Sequence, residues 1–271
     1  MVSPLTSLYT LASGSSGNAL LITMSGARFL VDAGISCRKI TQRLQALGLG
    51  LPDLDGLFIT HAHTDHINGL KTMLKRVSFP IFATWETLCC LPGEDSSSLF
   101  RPIKPGVPFS VSGCSVTAIS TSHDVPGSCG YRFDGPDGSV GILTDTGYVT
   151  EAASSLLPGV RIAVLEANHD VEALSSGPYP HYLKKRILGR QGHLSNDDAA
   201  EFAVTLAENG ANEIILAHLS LENNTPAMAR RTVETALAAA NLTPALSVAP
   251  RDALGEAHVL GERDSVCSGL F

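Results

Sequence analysis

The sequence predicts an α/β fold in which two sheets pack face to face with helices outside, and three observations carry that expectation. Short apolar runs rich in β-branched and aromatic residues fall into two blocks, at residues 5–11, 19–23, 28–31 and 79–83, and at 107–111, 115–120, 130–133 and 140–143. Each block is followed by helical periodicity. Beyond residue 161 strand and helix patterns alternate, which suits a sheet covered by helices.

Each element has a local reason. Ser36 reads as the N-cap of a helix that buries Ile40, Leu44 and Leu47 and is ended by Gly48 and Gly50. A second helix is expected over 66–77 from Ile67, Leu70, Met73, Leu74 and Val77, and a short one over 85–91. The Pro/Gly/Ser-rich stretch 92–108 reads as a loop, and Pro136-Asp137-Gly138 as a hairpin turn. Strand 161–166 precedes a helix over 179–188. Another helix spans 195–206 with Asp197 and Asp198 in its first turn, where they complement the helix dipole. Strand 212–217 follows, and Thr225-Pro226, a cap with proline at the first helical position, opens a helix to about 240.

At 271 residues, 44% hydrophobic and 17% charged, the chain can bury a large core, and residues 1–271 read as one domain. No apolar run approaches the ~18 residues of a membrane span. The start, Met1-Val2-Ser3-Pro4-Leu5, lacks the basic segment of a secretion signal, so the expectation is a soluble, cytoplasmic protein with no membrane partner. Cys37, Cys89, Cys90, Cys114, Cys129 and Cys267 form no Cys-x-x-Cys pair and read mostly as reduced core residues. The net charge of −7 weighs against strong nonspecific binding to DNA, so a polyanion would need a local basic surface or bound metal.

The chemistry concentrates in His61-Ala62-His63-Thr64-Asp65-His66, directly after the apolar run Gly56-Leu57-Phe58-Ile59. Residues two apart on extended backbone point the same way, so His61 and His63 can share one ion. Asp65 and His66, at the turn into the next helix, face elsewhere and can reach a second. Two ions need about seven protein ligands, and three more candidates stand at the ends of apolar runs: His123, Asp145 and His218. Imidazole and carboxylate suit Zn²⁺ or Mn²⁺, with Fe also accommodated.

In that order, and with Leu30-Val31-Asp32-Ala33-Gly34 before it, the chain resembles the metallo-β-lactamase superfamily over nearly its whole length. The resemblance implies a four-layer αββα sandwich and a pair of divalent metal ions. It places His61, His63 and His123 on the first metal and Asp65, His66 and His218 on the second, with Asp145 bridging and Asp32 orienting the His motif. Leu11-Ala12-Ser13-Gly14-Ser15-Ser16-Gly17-Asn18, Thr144-Asp145-Thr146-Gly147-Tyr148, Glu166-Ala167-Asn168-His169-Asp170 and Gly192-His193-Leu194-Ser195-Asn196 narrow it to the YycJ/WalJ-like branch. That branch implies 5′→3′ exonuclease activity on DNA and, in some bacteria, a link to cell-wall regulation. His181 departs from the aromatic expected after Tyr179-Pro180, so no role is carried over there. The order of Glu166-Ala167, His193 and His218 also resembles the late motifs of tRNA 3′-processing endonucleases, without their long tRNA-gripping arm.

Two adjacent cations would lower the pKa of a shared water toward ~7, giving a hydroxide nucleophile, with Asp65 and Asp145 offsetting part of the charge. His193 or His169 is expected to protonate the leaving oxygen. Ser15, Ser16 and Asn18 belong to a loop that reads either as a backbone cradle for phosphate or as an ordinary tight turn. Lys184, Lys185, Arg186 and Arg190 read either as a track for a nucleic-acid backbone or as a solvated helix face. The leading expectation is a phosphodiesterase trimming DNA. Alternatives are hydrolysis of a small ester, lactone, thioester or cyclic phosphodiester, and a metal-stabilised regulatory partner with little turnover.

Overall fold

The computed structural model describes residues 6–93 and 98–260. Cys267, the start of the first apolar run at Leu5 and part of the 92–108 stretch lie outside the described residues.

The amino-terminal half supplies β1 (Thr6–Ala12), β2 (Ala19–Met24), β3 (Ala27–Val31), β4 (Gly56–Phe58), β5 (Ile81–Thr84) and β6 (Phe100–Ile103), which lie side by side in that order. The other half supplies β7 (Phe109–Val111), β8 (Cys114–Ser120), β9 (Cys129–Gly135), β10 (Gly138–Leu143), β11 (Ile162–Glu166), β12 (Glu213–Ala217) and β13 (Ala245–Val248), again in order. The last strand, β14 (Ala257–Leu260), returns to the first sheet and pairs antiparallel with β1.

The layers follow from alternation along each strand. In β3, Phe29 and Val31 point to the other sheet while Leu30 points outward; in β4, Phe58 points in and Leu57 out. Between the sheets, Phe58 meets Phe133 at 5.0 Å and Tyr131 at 5.4 Å, both edge to face. The outer face of the first sheet is covered by α1 (Cys37–Ala46), α2 (Thr64–Ile67), α3 (Leu70–Met73) and α4 (Trp85–Leu88), through Ile40, Leu44, Leu70, Met73 and Leu88. The second sheet is covered through Ala153, Phe202, Leu206, Val233 and Leu237. These belong to α5 (Glu151–Leu156), α8 (Asn196–Glu208) and α9 (Pro226–Ala239). Between α5 and α8 run α6 (Val171–Ser176) and α7 (His181–Ile187). The result is the four-layer αββα sandwich.

Ser36 and Thr225 cap their helices as expected, and Ser195, read as the start of its helix, is its N-cap, each accepting a backbone N–H. The helix expected over 66–77 is instead two single turns, α2 and α3, broken at Asn68-Gly69. Gly69 N–H donates to Ala33 O, and a Cβ on Gly69 would stand 2.3 Å from Ile35 O, so tertiary contact overrides periodicity there. The 92–108 stretch is not all loop: Phe100–Ile103 pairs parallel with β5, and Pro102 is tolerated because this is an edge strand. Among the described residues Cys37, Cys114 and Cys129 are buried free thiols, in line with the core placement expected for most cysteines, whereas Cys89 and Cys90 are exposed. Among the described residues no helix is long and apolar enough to cross a membrane.

Candidate metal centre

The centre forms where strands of both sheets end. Asp32 follows β3 and His61 follows β4, while α2 carries Asp65 and His66. From the second sheet, His123 follows β8, Asp145 follows β10, Glu166 closes β11 and His218 follows β12. Asp32, Asp145 and His218 have φ of 61°, 57° and 56°, a left-handed conformation that costs non-glycine residues energy and concentrates at functional sites.

The donor atoms of the seven expected ligands converge. His61, His63 and His123 form one group within 4.8 Å, and Asp65, His66 and His218 form another. In the first, His63 Nδ1 lies 3.1 Å from His61 Nε2 and 3.2 Å from His123 Nε2. In the second, Asp65 Oδ2 lies 3.6 Å from His66 Nε2 and 3.5 Å from His218 Nε2. Asp145 lies between the groups: Oδ2 is 3.3 Å from His66 Nε2, and Oδ1 is 3.8 Å from His123 Nε2 and 3.5 Å from His218 Nε2. A tetrahedral ion with donors about 2.0–2.2 Å away separates them by about 3.3–3.6 Å, close to these spacings. Asp145 Oδ2 is buried and makes no well-formed hydrogen bond beside its 3.3 Å approach to His66 Nε2, an arrangement that a cation would relieve. The residues therefore fit divalent metal.

The outward nitrogens are occupied, which leaves the inward ones free to ligate. His66 Nδ1 donates to Asp32 Oδ2 at 2.7 Å, His123 Nδ1 to Gly192 O at 3.1 Å and His218 Nδ1 to Glu166 Oε1 at 3.0 Å. Thr60 Oγ1 donates to Asp32 Oδ2 and stands 3.0 Å from His61 Nδ1. Asp32 thus braces His66 directly and His61 through Thr60.

Charge is unevenly held. Burial opposes ionisation of His66, yet Asp145 and Asp32 outweigh it and hold the imidazolium well above its usual range. Burial likewise opposes the charge on His218, but Asp145, Asp65 and Glu166 lift it to about 10. Asp145 is buried too, and His218 and His66 still pull it well below the carboxylate range. Burial, with His66 adding repulsion, pushes His61 well down. A metal-free centre is therefore a mixed cluster of imidazolium and carboxylate, and metal must displace protons to bind.

The other expected residues fall in different places. His193 Nδ1 lies 2.8 Å from Glu166 Oε1 and 3.7 Å from Asp145 Oδ1, with its ring facing His123 and His218 at 5.0 and 5.3 Å. His169 stands outside every donor group among the described residues; it is buried, and burial draws its imidazole down to about 4, so it is uncharged at neutral pH. Asn18 is not poised toward solvent: its side chain accepts from Gly14 N–H and lies 3.0 Å from His66 Nε2, while its own N–H donates to Asp65 O. Gly17 N–H is also engaged, by Gly14 O, so the loop is chiefly a tight turn bracing the His motif, with Ser15 and Ser16 exposed at its tip. Lys184, Lys185 and Arg186 lie on α7, which buries no residue; Lys184 Nζ donates to Ser175 O, and Arg190 stacks on Tyr148 at 4.2 Å. Lys185, Arg186 and Arg190 line an open cavity of about 520 Å³.

Two contributors escape a reading of the sequence for ligands. Glu166 is fully buried, holds His193 and His218 on one oxygen, and accepts from Thr146 N–H and Leu194 N–H on the other. Its signal is its place at the end of an apolar strand, like Asp145. Thr60 is the other, and no pattern distinguishes it from a strand threonine.

A beta-lactamase superfamily domain matches residues 27–219. The chain is 38% identical to exodeoxyribonuclease WalJ of Streptococcus pneumoniae serotype 2 (strain D39 / NCTC 7466) over 237 residues, covering 86% of this chain and 88% of that one. It is 34% identical to exodeoxyribonuclease YycJ of Bacillus anthracis over 84% of this chain and 87% of that one. Among solved structures, the metallo-beta-lactamase fold protein YhfI from Bacillus subtilis superposes with a TM-score of 0.69 at 17% identity, covering 94% and 100% of the two chains. Fold and donor set together define a metallohydrolase scaffold that implies divalent-metal binding. The chain belongs to the metallo-β-lactamase superfamily and, within it, to the WalJ/YycJ family.

Proposed function

We propose that the chain is a metal-dependent hydrolase that trims DNA, with 5′→3′ exonuclease polarity. The observation that carries this is the pair of donor groups meeting at Asp145, in a chain that matches relatives named exodeoxyribonucleases over most of both lengths. In this reading His61, His63 and His123 would hold one ion and Asp65, His66 and His218 a second, with Asp145 available to both; Zn²⁺ or Mn²⁺ would suit these donors. Bound in that way, divalent cations acidify water and neutralise charge on a phosphodiester.

The remaining steps belong to the chain. Asp65 and Asp145 offset the positive charge around the reacting phosphate, and Asp32 keeps His66 facing it. His193, rather than His169, passes a proton to the leaving oxygen, because His193 stands in one donor group with Asp145, Glu166 and His218 and is partly exposed, whereas His169 is buried and uncharged. Glu166 orients His193 through Nδ1, which leaves Nε2 off the carboxylate. Lys184 and Lys185 on exposed α7, with Ser15 and Ser16 at the loop tip, supply contacts along the polymer backbone.

A second reading, hydrolysis of a small ester or cyclic phosphodiester, is favoured by the net charge of −7. Metal-loaded protein should degrade end-labelled DNA progressively from its 5′ end, and chelator should stop it. Activity on small esters with none on DNA or RNA would replace the leading reading with the second.

A further inference from the structure

The metal-facing imidazoles differ in how they are held. His61, His66, His123 and His218 are all buried, with outward nitrogens fixed by Thr60, Asp32, Gly192 and Glu166. His63 is the exception: about a third of its side chain is exposed, so packing alone does not set its ring. It also faces the centre through Nδ1, which turns its Nε2 away from the other donors. That Nε2 lies 3.3 Å from Asp124 Oδ1, an oxygen that is also 3.6 Å from His123 Nε2, and the other carboxylate oxygen, Asp124 Oδ2, accepts from Arg186 Nε at 2.6 Å.

We infer that Asp124 is a positioning residue: it accepts the Nε2 proton of His63, fixes the tautomer that leaves Nδ1 free, and is itself braced by Arg186 of the basic helix α7. The inference rests on the reading of His63 as a metal ligand and adds to it a mechanical link between the metal centre and the cavity where a polymer would lie. The link is short. Asp124 immediately follows His123, and the loop after it is pinned by the Thr84 and Thr87 hydroxyls donating to Gly127 O. Asp124, Lys185, Arg186 and Arg190 line the same open cavity, so an anion drawn there meets the guanidinium that holds the carboxylate. Arg186 thereby differs from Lys184 and Lys185. Its loss should reach the metal through Asp124, whereas theirs should not.

Outer partners of metal-bound histidines typically carry about 10–100-fold in metal affinity. Zn²⁺ titration against a chromophoric chelator should show one of two binding events weakened by that factor in Asp124→Ala. Asp124→Asn keeps an oxygen acceptor at the same place but is a poor metal ligand, so it should stay within about threefold of wild type. In the Zn²⁺-loaded wild type, histidine-selective ¹⁵N NMR should place the His63 proton on Nε2. Wild-type affinity in Asp124→Ala would overturn the inference, as would an Asp124→Asn loss equal to that of Asp124→Ala. A His63 proton on Nδ1 would overturn it as well. None of these measurements needs a nucleic acid, and wild type that bound no Zn²⁺ would instead sink the metal reading beneath it.

Discussion

Glu166 Oε1 stands 2.8 Å from His193 Nδ1, so a fully buried carboxylate orients a partly exposed imidazole at the edge of the donor groups. His193→Ala should lower kcat on DNA by about 10²–10⁴-fold, the usual size of general acid catalysis, while DNA affinity stays nearly intact. Glu166→Gln should do more than copy it: Oε1 faces His193 and His218 while Oε2 accepts from Thr146 N–H and Leu194 N–H, so an amide group must face one of these donor pairs, and metal affinity should fall about 10–100-fold as well. Steady-state kinetics beside metal titration separates the two. A Glu166→Gln protein with wild-type metal affinity would confine Glu166 to His193.

Among the described residues Asp145 is the one carboxylate shared between donor groups, and one of its oxygens is buried without a well-formed hydrogen bond. Asp145→Ala should abolish turnover and reduce the tightly bound metal from two ions per chain. Chelator should inactivate wild type reversibly, with activity restored by Zn²⁺ or Mn²⁺. Elemental analysis giving one ion per chain in active wild type would count against the dinuclear reading.

The buried His169 gives folding a pH dependence of its own. Its imidazole sits at about 4 in the folded chain, chiefly through burial, and near 6.5 when exposed. Between those values the unfolded chain binds a proton that the folded one does not, so stability is full above about 6.5 and falls as the pH drops toward 4. From pH 7 to pH 5 the loss from this group is about 2 kcal/mol. Urea unfolding of metal-free protein at both values measures it, and His169→Gln should flatten the difference by that amount. Equal losses in the two proteins would show that His169 is not the group responsible.

Lys184 and Lys185 test the polymer track without disturbing Asp124. Changing both to Gln should weaken DNA binding and make it less sensitive to salt, each lost phosphate contact lowering the slope of log K against log salt by about 0.7–0.9. Turnover of a small chromogenic phosphodiester should change little. If DNA binding matched wild type at every salt concentration, α7 would be an ordinary solvated helix.

The sandwich was legible because two blocks of short apolar runs and the caps at Ser36 and Thr225 are local signals that tertiary packing reinforces. What escaped was set by distant contacts. Gly69 breaks a periodic helix because Ile35 O lies against it, and Phe100–Ile103 becomes a strand only because β5 offers an edge. In the centre, ligand types announce themselves in His61-Ala62-His63-Thr64-Asp65-His66. The groups that aim them do not, because Thr60, Glu166 and Asp124 are ordinary residue types whose roles exist only once the chain has folded.

The return of β14 to pair with β1 has a consequence for how the protein is made. Synthesised from its amino terminus, the nascent chain exposes β1 as an open edge until residues beyond 250 emerge, and such edges invite wrong pairing. The loop that braces the His motif waits on the same event, since Ser13 N–H donates to Arg251 O and Ser13 Oγ accepts from His218 N–H. The centre therefore reaches its final geometry only after residue 251 has been made, so metal should mature it after that segment emerges rather than stepwise as each histidine appears.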